Sequence, residues 1–599
     1  MIPRRELLFQ LLEVMRLEDL LGRPAFNGHD QREATDIIDV AYSLAEREFL
    51  SCAALLDREE PRIEDGRVVM PEATSQALRA YGEASFGALA FSEQQGGLGL
   101  PFVLAQGCSA VFASANVSLL SYAMLTQGAA RLIAEFGTEP QRRRYLVPML
   151  AGQWFGTMCL SESHAGSSLA DLRTAAQPRA DGRYSIKGEK MWISGGEHEL
   201  TENIVHLVLA RIPGGPPGVK GVSLFIVPRR LVGSSGEITD DNGVGLIGLN
   251  HKMGWRGHVN TALSFGATGE CIGELVGLEH HGLPYMFQMM NEARIAVGLC
   301  AASIACAGYR YSLDYARERR QGRAVGDRDP LAPQIPIILH ADVRRMLIAQ
   351  KALAEGALSL TLYCARLVDD IATATSDESR ERLQLLLDLL TPIAKSWPAE
   401  FALEANKLAM QVLGGAGYTR DHPVERWYRD NRLNLIHEGT HGIHALDLLG
   451  RKVARQGGRA LRVFAAKVEA TVKQGLELGE LEGECRALAS GMRGLAMTTR
   501  RLVSSIDAGD PERGLANATL YLDAFGHIAV AWRWLAQACV ARRVLLADRS
   551  AGEAERAYYE GKIATCRYFF RYELPTIAPK LTLLARLDDL TLRFRDEAF

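Results

Sequence analysis

The chain has 599 residues, of which 47% are hydrophobic and 23% are charged. This is the composition of an ordinary globular protein, and the length predicts three or four domains rather than a single core. The net charge of −3 argues against nucleic acid or an anionic membrane as the main partner. Ten cysteines without a C-x-x-C pair indicate neither a structural zinc site nor a dithiol redox centre.

The first residues predict no targeting segment. Arg4 and Arg5 precede a short apolar run, but Gln10 and Glu13 interrupt it and no small-residue cleavage site follows. Nor do we find an apolar stretch of the roughly 18 residues that would span a bilayer. Scattered, reduced cysteines are typical of the cytoplasm, and we expect a cytoplasmic protein.

Helices are predicted for the first part of the chain, behind an N-terminal extension at residues 1–35. Over residues 36–155, apolar residues recur at helical spacing. Two breaks interrupt this pattern, a glycine-rich loop at 91–101 and a turn at 137–140. Thr138 is a suitable N-cap for the helix after that turn.

The middle of the chain has β character. Residues 156–280 contain runs rich in β-branched and aromatic residues, which predict a small antiparallel β domain. The runs lie at 204–209, 222–227 and 261–265. Helical periodicity returns over residues 281–460 and continues through a further block at 461–599. The predicted fold class is therefore mostly α with one β domain.

Residues 437–441 are compatible with two kinds of chemistry. Their sequence, His-Glu-Gly-Thr-His, matches the H-E-x-x-H motif of zinc proteases. That motif needs both histidines on one face of a regular helix, and Gly439 followed by β-branched Thr440 is a poor helix interior. The alternative is that Glu438 is a base that removes a proton from a substrate. Other motifs in the chain favour this alternative.

These motifs occur in a consistent order along the chain. They are residues 158–168 (MCLSESHAGSS), residues 187–198 (KGEKMWISGGEH), the pair Asn291 and Arg294, residues 316–323 (ARERRQGR), residues 411–418 (QVLGGAGY) and residues 429–440 (RDNRLNLIHEGT). Together they resemble the acyl-CoA dehydrogenase family over about residues 36–455. The N-terminal extension and the helical tail resemble the larger bacterial members, including those that act on a broad range of acyl-CoAs or on 3-methylthiopropionyl-CoA.

The resemblance implies a fold, a reaction and partners. The fold is an N-terminal helical domain, a middle antiparallel β-barrel domain and a C-terminal four-helix bundle, with residues 461–599 as an extra helical domain that packs on the others. The reaction is the FAD-dependent α,β-dehydrogenation of an acyl-CoA to a trans-2-enoyl-CoA, with electrons passed to an electron-transfer flavoprotein. In the family such a tail occupies surface that a second dimer would use, so we expect a homodimer.

The resemblance also implies roles for individual residues. Glu438 would abstract the α-proton while flavin N5 takes the β-hydride, and the Glu438 N–H would hold the thioester carbonyl. The implied FAD-binding residues are Leu160, Ser161, Gly166, Trp192, Ser194, Arg319, Gln411, Gly414, Gly415 and Thr440. The implied substrate-binding residues are Ser167, Asn291, Arg294 and Gly439, and no metal is implied.

Residue chemistry agrees with several of these roles. Burial of Glu438 would raise its pKa and make it a stronger base for a weakly acidic α-proton. Trp192 offers a π-face to the flavin ring, and the Arg319 guanidinium suits phosphate. Gly414 and Gly415 would let the backbone approach a dinucleotide, but no predicted strand precedes them, which argues against a Rossmann loop.

Three residues depart from the family pattern, and two other functions remain open. Ser163 replaces the usual proline, Ser168 the usual aspartate and His437 the usual tyrosine, so the acyl chain length cannot be read from these motifs. An acyl-CoA oxidase would share the site but reduce oxygen. A non-catalytic relative that binds DNA is a different class, and the presence of Glu438 and the nearly balanced charge of the tail argue against it.

Overall fold

The computed structural model describes residues 1–326, 329, 331–547 and 552–599. The chain forms two compact units. One unit is Pro24–Ala293, and the other joins Met1–Arg23 to Arg294–Phe599. The first carries the β domain, and the second carries the loop that contains Glu438.

The first half of the unit Pro24–Ala293 is helical, as predicted. Its α-helices are Gln31–Leu44, Ala53–Arg58, Glu72–Glu83, Phe102–Phe136, Glu139–Gln141 and Val147–Leu150. Asp30 caps the first of them by accepting a hydrogen bond from the Glu33 N–H at 2.8 Å. The predicted N-cap at Thr138 is confirmed, and Gln141 completes a capping box with it.

Helix Phe102–Phe136 contradicts the expectation that no apolar stretch is long enough to span a bilayer. This helix and Gly282–Glu318 are both long and apolar enough to cross a membrane by length and composition. No charged residue occurs from Phe102 to Ala130. The apolar window is fully buried in the first helix and 71% buried in the second. Burial on all sides is typical of a core helix, so length and composition alone are weak evidence for a span.

The second half of this unit is built around an eight-stranded sheet. Its strands are Trp154–Cys159, Ala175–Pro178, Tyr184–Ser194, Asn203–Arg211, Val222–Pro228, Val244–Leu249, Asn260–Phe265 and Ile272–Leu275. Two short pairs lie outside it, Arg62–Glu64 with Arg67–Val69 and Arg230–Val232 with Ile238–Asp241. The three runs predicted from the sequence all fall in strands of the main sheet.

The sheet is mostly but not wholly antiparallel. Trp154–Cys159 pairs in parallel with Asn203–Arg211 along six residues of each strand. Parallel neighbours need a long crossover, and residues 160–202, which include strand Tyr184–Ser194, supply it. Asn203–Arg211 and Val222–Pro228 are buried along almost their whole length, as is typical of strands covered on both faces.

The second unit is helical. Besides the C-terminal part of Gly282–Glu318, its α-helices are Arg4–Leu8, Leu17–Leu21, Ala341–Ala372, Asp377–Leu413, Val424–Arg432, His441–Asp447, Arg455–Leu478, Glu482–Asp507, Pro511–Leu515, Ala518–Ala547, Glu553–Tyr568, Ile577–Ala585 and Leu590–Arg593. Gln456, Gly457 and Gly458 all have positive φ, so the chain turns sharply where the tail begins.

The tail packs on the bundle through its most apolar helix, Ala518–Ala547. Trp534 is fully buried, and its Nε1 donates a hydrogen bond to the Ala352 carbonyl at 2.9 Å. A Cβ on Gly356 would come within 2.7 Å of the same indole nitrogen, so the two helices approach closely at this point. This contact confirms that residues 461–599 pack against the helical bundle.

Residues Met1–Arg23 also contact the tail. Glu6 and Glu355 both form ion pairs with the Lys562 ammonium, at 2.5 Å and 2.8 Å. The three side chains are at most 4% exposed. The two glutamates therefore compensate a buried lysine charge that is costly without partners.

Candidate active site

The segment around Glu438 is a strained turn. Glu438 has a φ of 53° and Gly439 a φ of 93°, and helix His441–Asp447 begins only after them. His437 lies outside that helix, with its Nε2 3.0 Å from Asn434 Oδ1. The two histidines therefore do not share a helix face, and the geometry does not fit the zinc motif.

Two buried side chains hold the carbonyl groups of this turn. The His444 Nε2 lies 2.9 Å from the Glu438 carbonyl oxygen. The Lys395 Nζ donates a hydrogen bond to the Gly439 carbonyl oxygen at 2.7 Å. Both side chains are fully buried. In the described part of the chain, no residue accepts a hydrogen bond from the Glu438 N–H, so this donor is available to a ligand.

His444 is a neutral hydrogen-bond donor in this arrangement. Burial lowers its pKa to about 2, so its ring carries no charge near neutral pH. A carbonyl oxygen only accepts, so the proton of the neutral ring must sit on Nε2. A Cβ on Gly439 would come within 2.8 Å of that nitrogen, and glycine is thus required at 439 by contact as well as by φ.

The electrostatics around Glu438 suit a base. Burial raises the pKa of Glu438, while the positive charges of Lys395 and Arg294 oppose that rise. Arg294 is 6% exposed and forms an ion pair with Asp447, with Nη1 and Oδ2 3.3 Å apart. Burial lowers the pKa of Lys395 to about 7, so its charge changes within the physiological range. The carboxylate is therefore desolvated but not isolated from cations.

A buried chain of amides supports the turn from the other side. Asn434 Nδ2 donates to Asn431 Oδ1 at 3.0 Å, and Asn431 Nδ2 donates to Asn406 Oδ1 at 2.7 Å. Asn406 Nδ2 in turn reaches the Ile304 carbonyl at 3.2 Å. This network begins at His437 and fixes its position against helix Gly282–Glu318.

The loop at 158–168, in the unit Pro24–Ala293, is held by a buried ion pair. Glu162 Oε1 lies 2.9 Å from the Lys190 Nζ, and both side chains are almost fully buried. Burial alone would raise the pKa of Glu162, but Lys190 and two hydrogen bonds from Thr174 and Arg173 lower it to about 2. The same ammonium donates to the Leu160 carbonyl at 2.9 Å. The backbone that precedes Gly166 is thus rigid.

Trp192 is exposed by its backbone geometry. It lies in a bulge of strand Tyr184–Ser194, where the pairing with Asn260–Phe265 shifts register, and it has a φ of 64°. Its side chain is 63% exposed, which is unusual for an indole and leaves a large apolar face for a ligand. The bulge explains how a strand residue can present its ring outward.

The other predicted residues of this unit lie near these two motifs or on the helix that follows the β domain. The Met191 N–H donates to the Ser161 carbonyl at 3.0 Å, which joins the two motifs. Ser194 Oγ accepts a hydrogen bond from Asn260 Nδ2 at 3.0 Å. Gly166 and Ser167 are exposed, and Asn291 is half-buried on helix Gly282–Glu318.

The remaining predicted residues belong to the helical unit. Gln411, Gly414 and Gly415 are exposed at the end of helix Asp377–Leu413, and Arg319 is exposed directly after Gly282–Glu318. Gly414 has a φ of 60°, and apart from the chain neighbours no atom of the described residues lies within 4 Å of a Cβ built on either glycine. A helix rather than a strand precedes these glycines, as expected. Thr440 is the residue before helix His441–Asp447.

The structure therefore brings Arg294, Glu438 and Gly439 together and adds residues that the sequence did not suggest. Lys395, His444 and Asn434 surround the turn, yet Lys395 lies 44 residues before its partner in the chain. Asn434 lies within the motif at 429–440 and His444 shortly after it, but the sequence indicates a partner for neither. Lys190 stood inside a quoted motif, but nothing in that motif indicated its pairing with Glu162.

Comparison with known domain families gives four matches that together span most of the chain. They are the acyl-CoA dehydrogenase N-terminal domain at 32–153, its middle domain at 157–267, its C-terminal domain at 280–453 and the acetyl-CoA dehydrogenase C-terminal like domain at 464–595. The last match covers the helical tail.

Two curated proteins are similar over most of their length. A 3-methylmercaptopropionyl-CoA dehydrogenase of Ruegeria pomeroyi is 39% identical, over 86% of this chain and 85% of the relative. A broad-specificity linear acyl-CoA dehydrogenase of Mycobacterium tuberculosis is 32% identical, over 99% of both chains.

Two solved structures share the fold. The ACDH-11 protein of Caenorhabditis elegans, in complex with C11-CoA, has a TM-score of 0.74 at 17% identity and covers 94% of this chain and 90% of its own. An acyl-CoA dehydrogenase of Bacillus anthracis complexed with FAD has a TM-score of 0.73 at 19% identity and covers 96% and 92%. Both align across the tail as well as the first three domains.

Proposed function

Because this chain belongs to the acyl-CoA dehydrogenase family of oxidoreductases, we propose that it oxidises an acyl-CoA thioester between its α and β carbons, with FAD as cofactor. The single observation that carries this proposal is the turn at Glu438. It combines a desolvated carboxylate with a backbone N–H that has no acceptor in the described chain. The two carbonyl groups of the turn are already hydrogen-bonded to the buried side chains of His444 and Lys395.

The residues present suit FAD. Trp192 offers an exposed apolar ring, and Leu160, Ser161 and Ser194 lie on segments joined to its strand. The open space at Gly414 and Gly415 admits a backbone contact, which supports these glycines together with Gln411, Arg319 and Thr440 as residues that would hold the dinucleotide. When bound, FAD would accept the hydride that leaves the β-carbon.

The proton chemistry belongs to Glu438. A raised pKa makes its carboxylate a stronger base, and the positive charges of Lys395 and Arg294 limit that rise. We propose that the Glu438 N–H donates to the thioester carbonyl, where negative charge builds up as the α-proton leaves. Ser167, Asn291, Arg294 and Gly439 are the residues that we propose to position the acyl-CoA, while Gly166 belongs to the proposed FAD-binding set.

The first test is anaerobic titration of the purified protein with acyl-CoAs from C4 to C16, following the flavin spectrum. Loss of the oxidised flavin band is expected, and the chain length that bleaches it fastest identifies the preferred substrate. A protein that carries flavin and is bleached by none of the series would contradict the proposal. The relatives make 3-methylmercaptopropionyl-CoA a necessary member of the series.

A variant of the base separates chemistry from binding. Glu438→Gln should keep FAD and bind acyl-CoA but lose turnover by about 10³-fold or more, because an amide cannot take the proton. Glu400→Gln, an exposed change on helix Asp377–Leu413, is the matched control. Near-normal turnover in the Glu438 variant would rule out this mechanism.

The electron acceptor, the assembly and the location are proposals that rest on the family. We propose that electrons pass to an electron-transfer flavoprotein, that the protein is a homodimer, and that it is cytoplasmic. Turnover that yields stoichiometric hydrogen peroxide in air would instead identify an oxidase. Light scattering of the purified protein tests the dimer, and cell fractionation tests the location.

A further inference from the structure

Lys395 is a lysine whose side chain is buried away from solvent. It lies on helix Asp377–Leu413, its side chain is fully buried, and its Nζ donates to the Gly439 carbonyl at 2.7 Å. A lysine in such a place is costly, because its charged form is desolvated. In the described part of the chain, the hydrogen bond that its Nζ donates goes to the residue directly after Glu438, so Lys395 contacts the turn at Glu438.

The helix around Lys395 contains an internal proline and is closely packed on two sides. Pro398 has no N–H, so it cannot bond the Ala394 carbonyl in the usual helical way. Helix Gly282–Glu318 approaches that same carbonyl so closely that a Cβ on Gly298 would collide with it. Trp397 is packed against Gly526 of the tail in the same manner. Helices on two sides thus determine where Lys395 points.

Several charged and titratable groups lie near Lys395 and influence its charge and that of Glu438. Those on the elements that face Lys395 and Glu438 are Arg294, His437, His441, His444, Asp447 and Arg451. Asp447 lies between Arg294 and Arg451 and compensates both, at 3.3 Å and 2.6 Å. His437 and His444 are neutral near pH 7, since burial lowers their pKa values to about 3 and about 2. Lys395 is therefore the cation near Glu438 that has no carboxylate of its own among these groups.

We propose that Lys395 is a positioning residue for the base: its ammonium group holds the Gly439 carbonyl and supplies the charge that keeps the Glu438 carboxylate ionised until it takes the substrate proton. This inference rests on the proposed function. It adds a residue 43 positions before Glu438 that acts through the turn and its field and does not touch the substrate.

Removing the charge should change the titration of Glu438. Without the ammonium, burial of the carboxyl is opposed only by Arg294, so protonated Glu438 should persist to higher pH. We expect the midpoint to rise by about one pH unit or more in Lys395→Met, with turnover at pH 7 reduced by about 10²-fold. A purely structural lysine would change stability and FAD content but leave this midpoint in place.

The experiment is infrared difference titration of the holoenzyme without substrate. The carbonyl band of a protonated carboxyl appears as the pH falls, and its loss in Glu438→Gln identifies the Glu438 component. The midpoint is then compared in wild type, Lys395→Met and Lys407→Met, the last being an exposed lysine on the same helix. Lys395→Gln keeps an N–H donor without the charge, and Lys395→Arg keeps the charge.

The outcomes are distinct. A raised midpoint in the Met and Gln variants, with a midpoint close to wild type in Lys395→Arg and Lys407→Met, supports the proposal. Equal midpoints in wild type, Lys395→Met and Lys395→Gln overturn it. If no acyl-CoA bleaches the wild-type flavin, the proposed function fails, yet the infrared comparison still measures whether Lys395 acts on Glu438. If Lys395→Met does not fold, the Gln variant decides between these results.

Discussion

Gly439 is the residue at which backbone and side-chain constraints meet. Its φ of 93° is rarely adopted by other residues, and a Cβ there would press on the His444 ring that holds the Glu438 carbonyl. The conformation of the turn at Glu438 thus depends on the absence of a side chain at residue 439. Strain of this kind is found where a site must be held in one geometry.

Gly439→Ala should therefore lose activity by more than about 10²-fold and lower the free energy of unfolding by about 1–3 kcal/mol. The matched control is Gly442→Ala in the adjacent helix, where no atom lies within 4 Å of the new Cβ and alanine favours the helix. Flavin reduction rates and thermal melts measure both effects. If the two variants were equally active, His444 would not be the constraint that we describe.

At the residue scale the sequence predicted the part of the site that is local in the chain. Glu438 could be recognised from its immediate neighbours, and its raised pKa follows from burial. Lys395 and the Asn406–Asn431–Asn434 network could not, because they become neighbours of the turn only when helices pack. The roles of the predicted FAD-binding residues, such as Ser161 and Arg319, stay predictions.

At the scale of elements, periodicity predicted the order of helices and strands along the chain. It did not predict which strands pair with each other or in which direction. The runs at 204–209 and 222–227 are strands because β-branched residues fill both faces of a buried sheet. The parallel pairing of Trp154–Cys159 was not predicted, since period-two patterns carry no information about the direction of a neighbour. The sequence analysis did not predict that Phe102–Phe136 is long and apolar enough to span a bilayer. Small and polar residues interrupt its apolar ones, although none of residues 102–130 is charged.

Helix Ala518–Ala547 of the tail supports the segment that follows the base. Asp523 accepts a hydrogen bond from His441, the first residue of helix His441–Asp447, at 3.2 Å and pairs with Lys580 at 2.9 Å. Burial would raise the pKa of Asp523, but these two partners lower it. The tail is thus in direct contact with the helix that follows the turn at Glu438.

Asp523→Ala should destabilise the protein by about 1–3 kcal/mol, since it leaves two polar partners unpaired. It should also lower kcat, because helix His441–Asp447 loses a fixed point. Asp507→Ala, an exposed change on helix Glu482–Asp507, serves as the control. Unchanged thermal stability and unchanged kcat in Asp523→Ala would show that the tail does not support the turn.

At the scale of the whole molecule, buried neutral histidines make stability depend on pH. Among the described residues, burial lowers the pKa of six of them well below 6.5, to about 3 or 4 in four and to about 2 in His444. They are His198, His206, His258, His437, His444 and His527. Below pH 6.5 the unfolded chain binds protons at these rings and the folded chain does not, so acid favours unfolding.

The free energy of unfolding should therefore fall as the pH drops from 6.5 towards 4. Each such histidine contributes up to about 1.4 kcal/mol per pH unit in that range. Urea unfolding at pH 7.5, 6.5, 5.5 and 4.5 measures the slope. A flat profile over that range would mean that these rings are accessible to protons in the folded state.

The ion pair between Glu6 and Lys562 joins the two ends of the chain. Glu6→Ala leaves the Lys562 ammonium buried with Glu355 as its remaining carboxylate, and we expect a loss of about 3–5 kcal/mol. Glu18→Ala changes an exposed glutamate in the same N-terminal segment and should have little effect. Chemical unfolding of both variants tests the difference, and equal stabilities would contradict it.

The same contact has a consequence for synthesis on the ribosome. Glu6 and Lys562 are 556 positions apart, so at ordinary elongation rates of about 5–20 residues per second the first helix waits about 30–110 s for its partner. During that time Leu7, Phe9 and Leu11, which end fully buried, have no tail to cover them. Nascent chains of this protein should therefore engage chaperones through their first dozen residues and release them only as translation ends.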